Sequence, residues 1–78
     1  MEKSQHTPAY RKLTLELKVA RIRAGLTQRQ AAKKLKVYPS FISKAELGER
    51  KIDVVELAAF CKVYGTTVAA ILKAVGIE

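Results

Sequence analysis

The sequence is poor in the residues that small enzymes and secreted scaffolds depend on. Its 78 residues include one cysteine, one histidine, two prolines and no tryptophan. A single cysteine excludes an intrachain disulfide and a CxxC metal site. A free thiol fits a reducing compartment. His6 is the only histidine and lies in a polar N-terminal stretch, so neither a metal site nor histidine acid–base chemistry is expected. No GxxxxGK loop, nucleophile motif or zinc spacing occurs, and Glu16, Glu46 and Glu56 do not form a catalytic carboxylate set. A domain this size buries only ~60% of the surface its unfolded chain exposes, which leaves little room for a catalytic pocket. The expectation is therefore a non-enzymatic protein without cofactor or metal. No apolar run approaches the ~20 residues of a membrane helix. Met1–Thr7 lacks the apolar core of a signal peptide, so a cytoplasmic protein is expected. Strand signals are nearly absent: no hairpin dipeptide occurs and no alternating run is long.

Acidic residues are scarce as well. Seven stand against 15 basic residues, for a net charge of +8. The excess is unevenly placed. Residues 1–51 hold 13 of the basic residues and four of the acids, net +9, while residues 52–78 are net −1. A charge of this size on a small folded domain points to a polyanionic partner. Its asymmetry suggests a nucleic-acid face joined to a structural or self-associating part. A solubilising surface is the plainer alternative.

Local signals predict five short helices. Thr7 and Pro8 start the first, Leu13, Leu17, Ala20 and Ala24 give it an inward face, and Gly25 stops it. Residues 1–7 read as a flexible tail and 8–78 as one domain. Thr27 and Gln30 form a capping-box pair ahead of a short helix that turns Ala31, Ala32 and Leu35 inward. After a break at residues 36–38, Pro39 opens the third helix, with Ile42 and Ala45 inward, and Gly48 ends it. Asp53 and Glu56 make a second capping box. Leu57, Phe60, Cys61 and Tyr64 then follow at i, i+3, i+4, i+7, the spacing of a buried stripe. Cys61 reads as a small core residue. A Thr66/Thr67 cap starts the fifth helix, with Val68, Ile71, Leu72 and Val75 at the same spacing and Gly76 at its end. The fold class is all-α.

The second and third helices, around a tight turn, make a helix-turn-helix. Small residues at Ala31 and Ala32 allow a close crossing. A short-chained polar face at Ser40, Ser43 and Lys44 suits a major groove ~12 Å wide. The stretch from Gly25 to Leu57 resembles the lambda-repressor-like helix-turn-helix family, also called Cro/C1 or XRE. The matching motifs are G-L-T-Q (Gly25–Gln28), S-F-I-S-K-A-E-L-G-E-R (Ser40–Arg50) and D-V-V-E-L (Asp53–Leu57), and the likeness runs from about Tyr10 to Leu72. It implies a five-helix domain and a transcription regulator, expected to be a repressor, that binds double-stranded DNA as a homodimer.

The resemblance also implies residue roles. Pro39, Ser40, Ser43 and Lys44 fall at base-reading positions. Thr27, Gln28, Lys36, Phe41, Arg50 and Lys51 fall at or beside the DNA backbone. Phe41 is open to two readings, packing or contact with sugar and thymine methyl. Arg21 and Glu46 match a pair that ties helix one to helix three. Three departures stand out. Lys36 replaces the usual turn glycine, Pro39 replaces a polar reader, and Ala31 and Ala45 are smaller than the usual core residues. Tyr64, Val68, Ile71, Leu72 and Val75 are the expected dimer surface, since a small core does not need all of them. A second functional class shares the fold: a protein-interaction module, such as an antitoxin acting mainly on a partner toxin.

Overall fold

A computed structural model of the chain describes residues 7–77, and within them side-chain oxygens start four of the five helices. Helix α1 spans Pro8–Arg23, and the Thr7 hydroxyl accepts from the Tyr10 amide at 3.2 Å. Thr7 thus serves as the cap of α1, and the rest of the expected tail, residues 1–6, lies outside the described residues. Helix α2 spans Gln28–Leu35. Its box is reciprocal: the Gln30 amide donates to Thr27 Oγ1 at 3.1 Å, and the Thr27 amide donates to Gln30 Oε1 at 2.9 Å. Helix α3, Pro39–Glu46, has no side-chain cap and relies on proline at its first position. Helix α4, Val54–Tyr64, has the Asp53/Glu56 box at 2.7 and 3.0 Å. Helix α5, Val68–Ala74, starts from Thr67. Each such cap is worth ~1 kcal/mol. Among the described residues no single helix is long and apolar enough to cross a membrane.

The turn between α2 and α3 is bought with backbone strain. Lys36 is the only non-glycine described residue with a positive φ, at φ 59°, ψ 43°. That left-handed geometry closes α2, with the Val37 amide donating to the Ala32 carbonyl at 3.0 Å. A side chain in this region costs roughly 1–2 kcal/mol. Lys36→Gly should therefore raise stability by about 1 kcal/mol, which lifts Tm by about 4–8 °C in a domain this small. Thermal unfolding followed by circular dichroism checks it, and an unchanged or lower Tm contradicts it.

The core gathers Leu17 of α1, Ile42 of α3 and Phe60 of α4, the largest fully buried side chains. Full burial of such a side chain is worth ~1.5–3 kcal/mol. Ala31, Ala32 and Ala45 are almost completely buried. Their small size lets α2 and α3 cross closely, so the departures at Ala31 and Ala45 bring the two helices together. Helix α1 packs on α3, α4 and α5, and α2 packs on α3 and α4. Leu57, Phe60, Cys61 and Tyr64 are all buried, as their spacing predicts. Burial also pushes the Cys61 thiol pKa up, which leaves it unreactive.

Two expectations need correction. Ala24 is exposed, because α1 ends at Arg23. Tyr64, Ile71 and Val75, expected on a dimer surface, are buried in the single chain. Helix α5 has seven residues and one apolar stripe, and that stripe closes the core against α1 and α4. Val68 packs on the core while partly exposed, and Leu72 is half-buried.

Candidate nucleic-acid interface

Successive residues of a helix turn by about 100°, so the inward burial of Ile42 and Ala45 decides what α3 shows to solvent. Pro39, Ser40 and Lys44 are exposed and Ser43 is half-buried. Leu47, the residue capping α3, extends the outward face and is 71% exposed.

A cleft of about 620 Å³ runs beside this face. Lys36, Val37, Tyr38, Ser40, Phe41, Lys44 and Arg50 line it. The turn, α3 and the following loop thus bring three cations, a serine hydroxyl and two aromatic rings to one opening. Thr27, Gln28, Pro39, Ser43 and Lys51 lie outside the lining.

Arg50 is held in place from two sides. Its guanidinium carbon lies 4.3 Å from the Phe41 ring centroid, and Nη2 lies 3.2 Å from Glu56 Oε2. Phe41 in turn stacks on Phe60, with centroids 6.0 Å apart and planes at 19°. Phe41 thus packs between the core and Arg50 while one part of it lines the cleft. The loop backbone is fixed from α1. The Tyr10 hydroxyl accepts from the Ile52 amide at 2.8 Å and donates to the Arg50 carbonyl at 3.2 Å. Glu56 acts twice, capping α4 through Oε1 and pairing Arg50 through Oε2.

The orientation of α3 is set by a buried ion pair. Arg21 Nε donates to Glu46 Oε2 at 2.6 Å and Nη2 donates to Oε1 at 3.2 Å. Only 9% and 5% of the two side chains are exposed. Arg21 Nη1 also donates to the Leu26 carbonyl at 2.8 Å, and Gln28 Nε2 donates to Glu46 Oε1 at 3.0 Å. The hydrogen bonds that Arg21 donates to Glu46 raise its pKa above the ordinary value. One network therefore joins α1, the start of α2 and the end of α3. Gln28, at the first position of α2, supports α3 through Glu46. Thr27 uses its hydroxyl in the helix cap. Burial, with a smaller effect from Glu46, pushes the Tyr64 phenol pKa up.

Sequence reasoning gave no role to Tyr10, Tyr38 or Leu47. Tyr38, between α2 and α3, is 82% exposed beside Pro39. An aromatic in a helix-turn-helix break is the signal that marks it. Tyr10 left no such signal, because its partners lie some 40 residues away. Among the described residues no group of three or more His, Cys, Asp or Glu is placed to hold a metal ion.

Residues 12–73 match the family model described as a helix-turn-helix domain. Among solved structures, an XRE-family like protein from Pseudomonas syringae pv. tomato str. DC3000 is 40% identical, with a TM-score of 0.83 over 90% of this chain and 85% of that one. Two structures of the clp gene regulator ClgR from Corynebacterium glutamicum are 28% and 27% identical, each with a TM-score of 0.81. They cover 88% and 94% of this chain, and 73% and 94% of their own. Among functionally curated proteins no significant match is found.

Proposed function

Because the chain belongs to the XRE-type helix-turn-helix family, we propose that it is a sequence-specific transcription regulator, acting as a homodimeric repressor in the cytoplasm, that reads duplex DNA through α3. The observation that carries this reading is the exposed face of α3 beside the cleft of Lys36, Lys44 and Arg50. Neutralising phosphates accounts for the net +9 of residues 1–51, and the likeness to the ClgR regulator supports a role in transcription.

Lys44 and Ser40 read base edges. A lysine in the major groove favours the O6 and N7 acceptors of guanine. Pro39 has no donor, so it contributes apolar contact, with Tyr38 beside it. Arg50, Lys51 and Lys36 hold the sugar-phosphate backbone, and the free amides at the start of α2 suit a phosphate. Two copies are needed because one domain contacts too few bases for high specificity, and half-sites about one helical turn apart are expected.

Selection from a pool of random duplexes tests the reading. A palindromic motif should be enriched. Lys44→Ala should relax preference at one or two positions, losing about 1–3 kcal/mol of discrimination there. A pool that yields no motif under low salt would overturn the assignment.

A further inference from the structure

Helix α4 has only two charged residues, Glu56 and Lys62. Leu57, Phe60, Cys61 and Tyr64 face the core, and the exposed side carries Val54, Val55, Ala58 and Ala59, with Lys62 at its far end. Burying an apolar side chain of this size is worth ~1.5–3 kcal/mol. In the single chain, however, Val54 is 76% and Val55 78% exposed. The two valines form a ridge at the start of α4 with an apolar depression on each flank. On the Val55 side is a hollow of about 180 Å³, bounded by Leu35, Val37 and Ala59. On the Val54 side is one of about 260 Å³, bounded by Leu13, Leu57 and Ile77.

We propose that this ridge and its flanking hollows are the contact between two copies of the chain, with the valines of each seated in a hollow of the other. The inference rests on the homodimeric DNA-binding reading and supplies the surface that α5 does not provide. Three observations select a second copy as the occupant. A twofold contact sets one patch against itself, so the patch must be self-complementary. A ridge between two hollows meets that requirement in shape. It must also be near neutral. The residues lining the two hollows include no cation, and their two acids, Asp53 and Glu56, are engaged in the cap of α4 and the pair with Arg50, whereas residues 1–51 as a whole are net +9. Finally, α4 begins just after the loop of Arg50 and Lys51. A contact there keeps both loops and both recognition helices at the centre of the assembly. The ridge and its hollows involve fewer residues than the ~20–30 a side of a standard interface. The dimer is accordingly weak when free and is completed on DNA.

The paired substitution Val54→Ser/Val55→Ser tests this. Both positions are exposed, so the fold is retained, and a thermal melt verifies that. Leu15→Asp, at an exposed leucine of α1, is the control for loss of any exposed apolar side chain. Sedimentation velocity from micromolar to millimolar protein, and gel shifts on the selected palindrome and on its isolated half-site, provide the readouts. Wild type and the control should self-associate and fill the palindrome cooperatively. The double variant should bind the half-site like wild type, stay monomeric, and bind the palindrome at least about tenfold more weakly, a loss of about 1.4 kcal/mol. A double variant that dimerises and fills the palindrome like wild type overturns the proposal. So does a wild type that remains monomeric with and without DNA. If no duplex is bound at all, the DNA reading fails and sedimentation alone decides the contact.

Discussion

Glu46→Ala should cost about 3–5 kcal/mol, because it leaves the Arg21 guanidinium buried without its counter-charge. The whole folding free energy of a chain this size is about 4–12 kcal/mol. The variant should therefore melt at least about 15 °C lower, or be unfolded at room temperature. Arg21 retains its bond to the Leu26 carbonyl, and one neutral acceptor does not replace a bidentate carboxylate. Gln28 loses its acceptor in the same step. Removing both charges is different. In Arg21→Met/Glu46→Leu no unpaired charge stays behind, and replacing a buried pair by apolar groups is often neutral. That double variant should lie within about 1–2 kcal/mol of wild type, the remaining loss being the unmet hydrogen bonds of Gln28 and Leu26. Thermal unfolding of the three proteins separates the two effects. Equal losses in the single and double variants would show that packing, rather than pairing, dominates at this site.

The same network shows what could be read from the chain and what could not. The caps at Thr7, Thr27, Asp53 and Thr67 are local signals, because donor and acceptor lie three residues apart. The stripe of α4 is local too, since its period is that of the helix. The link from Arg21 to Glu46 spans 25 residues and was legible only through resemblance to a family. Nothing in composition or spacing pairs those two residues. Tyr10 shows the limit most clearly. Its hydroxyl fixes the loop that carries Arg50, yet in the sequence it is an ordinary helical tyrosine. The expectation for Ile71 and Val75 was wrong for a related reason. Periodicity says that Val68, Ile71, Leu72 and Val75 share a face, but not whether that face meets its own chain or another. Ile71 and Val75 meet their own. The apolar surplus lay instead on α4, where a complete inward stripe drew attention from Val54 and Val55 on the exposed side.

Binding to the selected palindrome should weaken by about 10³ as salt rises from about 50 to 200 mM. The magnitude follows from Lys36, Arg50 and Lys51. Three cations per protomer make six in a dimer, and six neutralised phosphates give a slope of log affinity against log salt near −5. Arg50→Ala removes two of the six and should flatten the slope by about 2, weakening every sequence alike. Phe41→Leu makes a sharper test of the geometry around Arg50. It leaves all six charges in place, so the slope should not change. It removes the ring 4.3 Å from the guanidinium, so Arg50 must be ordered on binding. Affinity should then fall at every salt concentration by up to about 1 kcal/mol per protomer, the worth of an exposed cation–π contact. Phe41 also stacks on Phe60, so titrations belong at a temperature where the melt shows the variant fully folded. A slope that changes with Phe41→Leu would mean that the ring decides whether Arg50 reaches phosphate at all, rather than how well it is held there. A slope near zero in wild type would remove the phosphate contacts altogether, and with them the explanation of the +9.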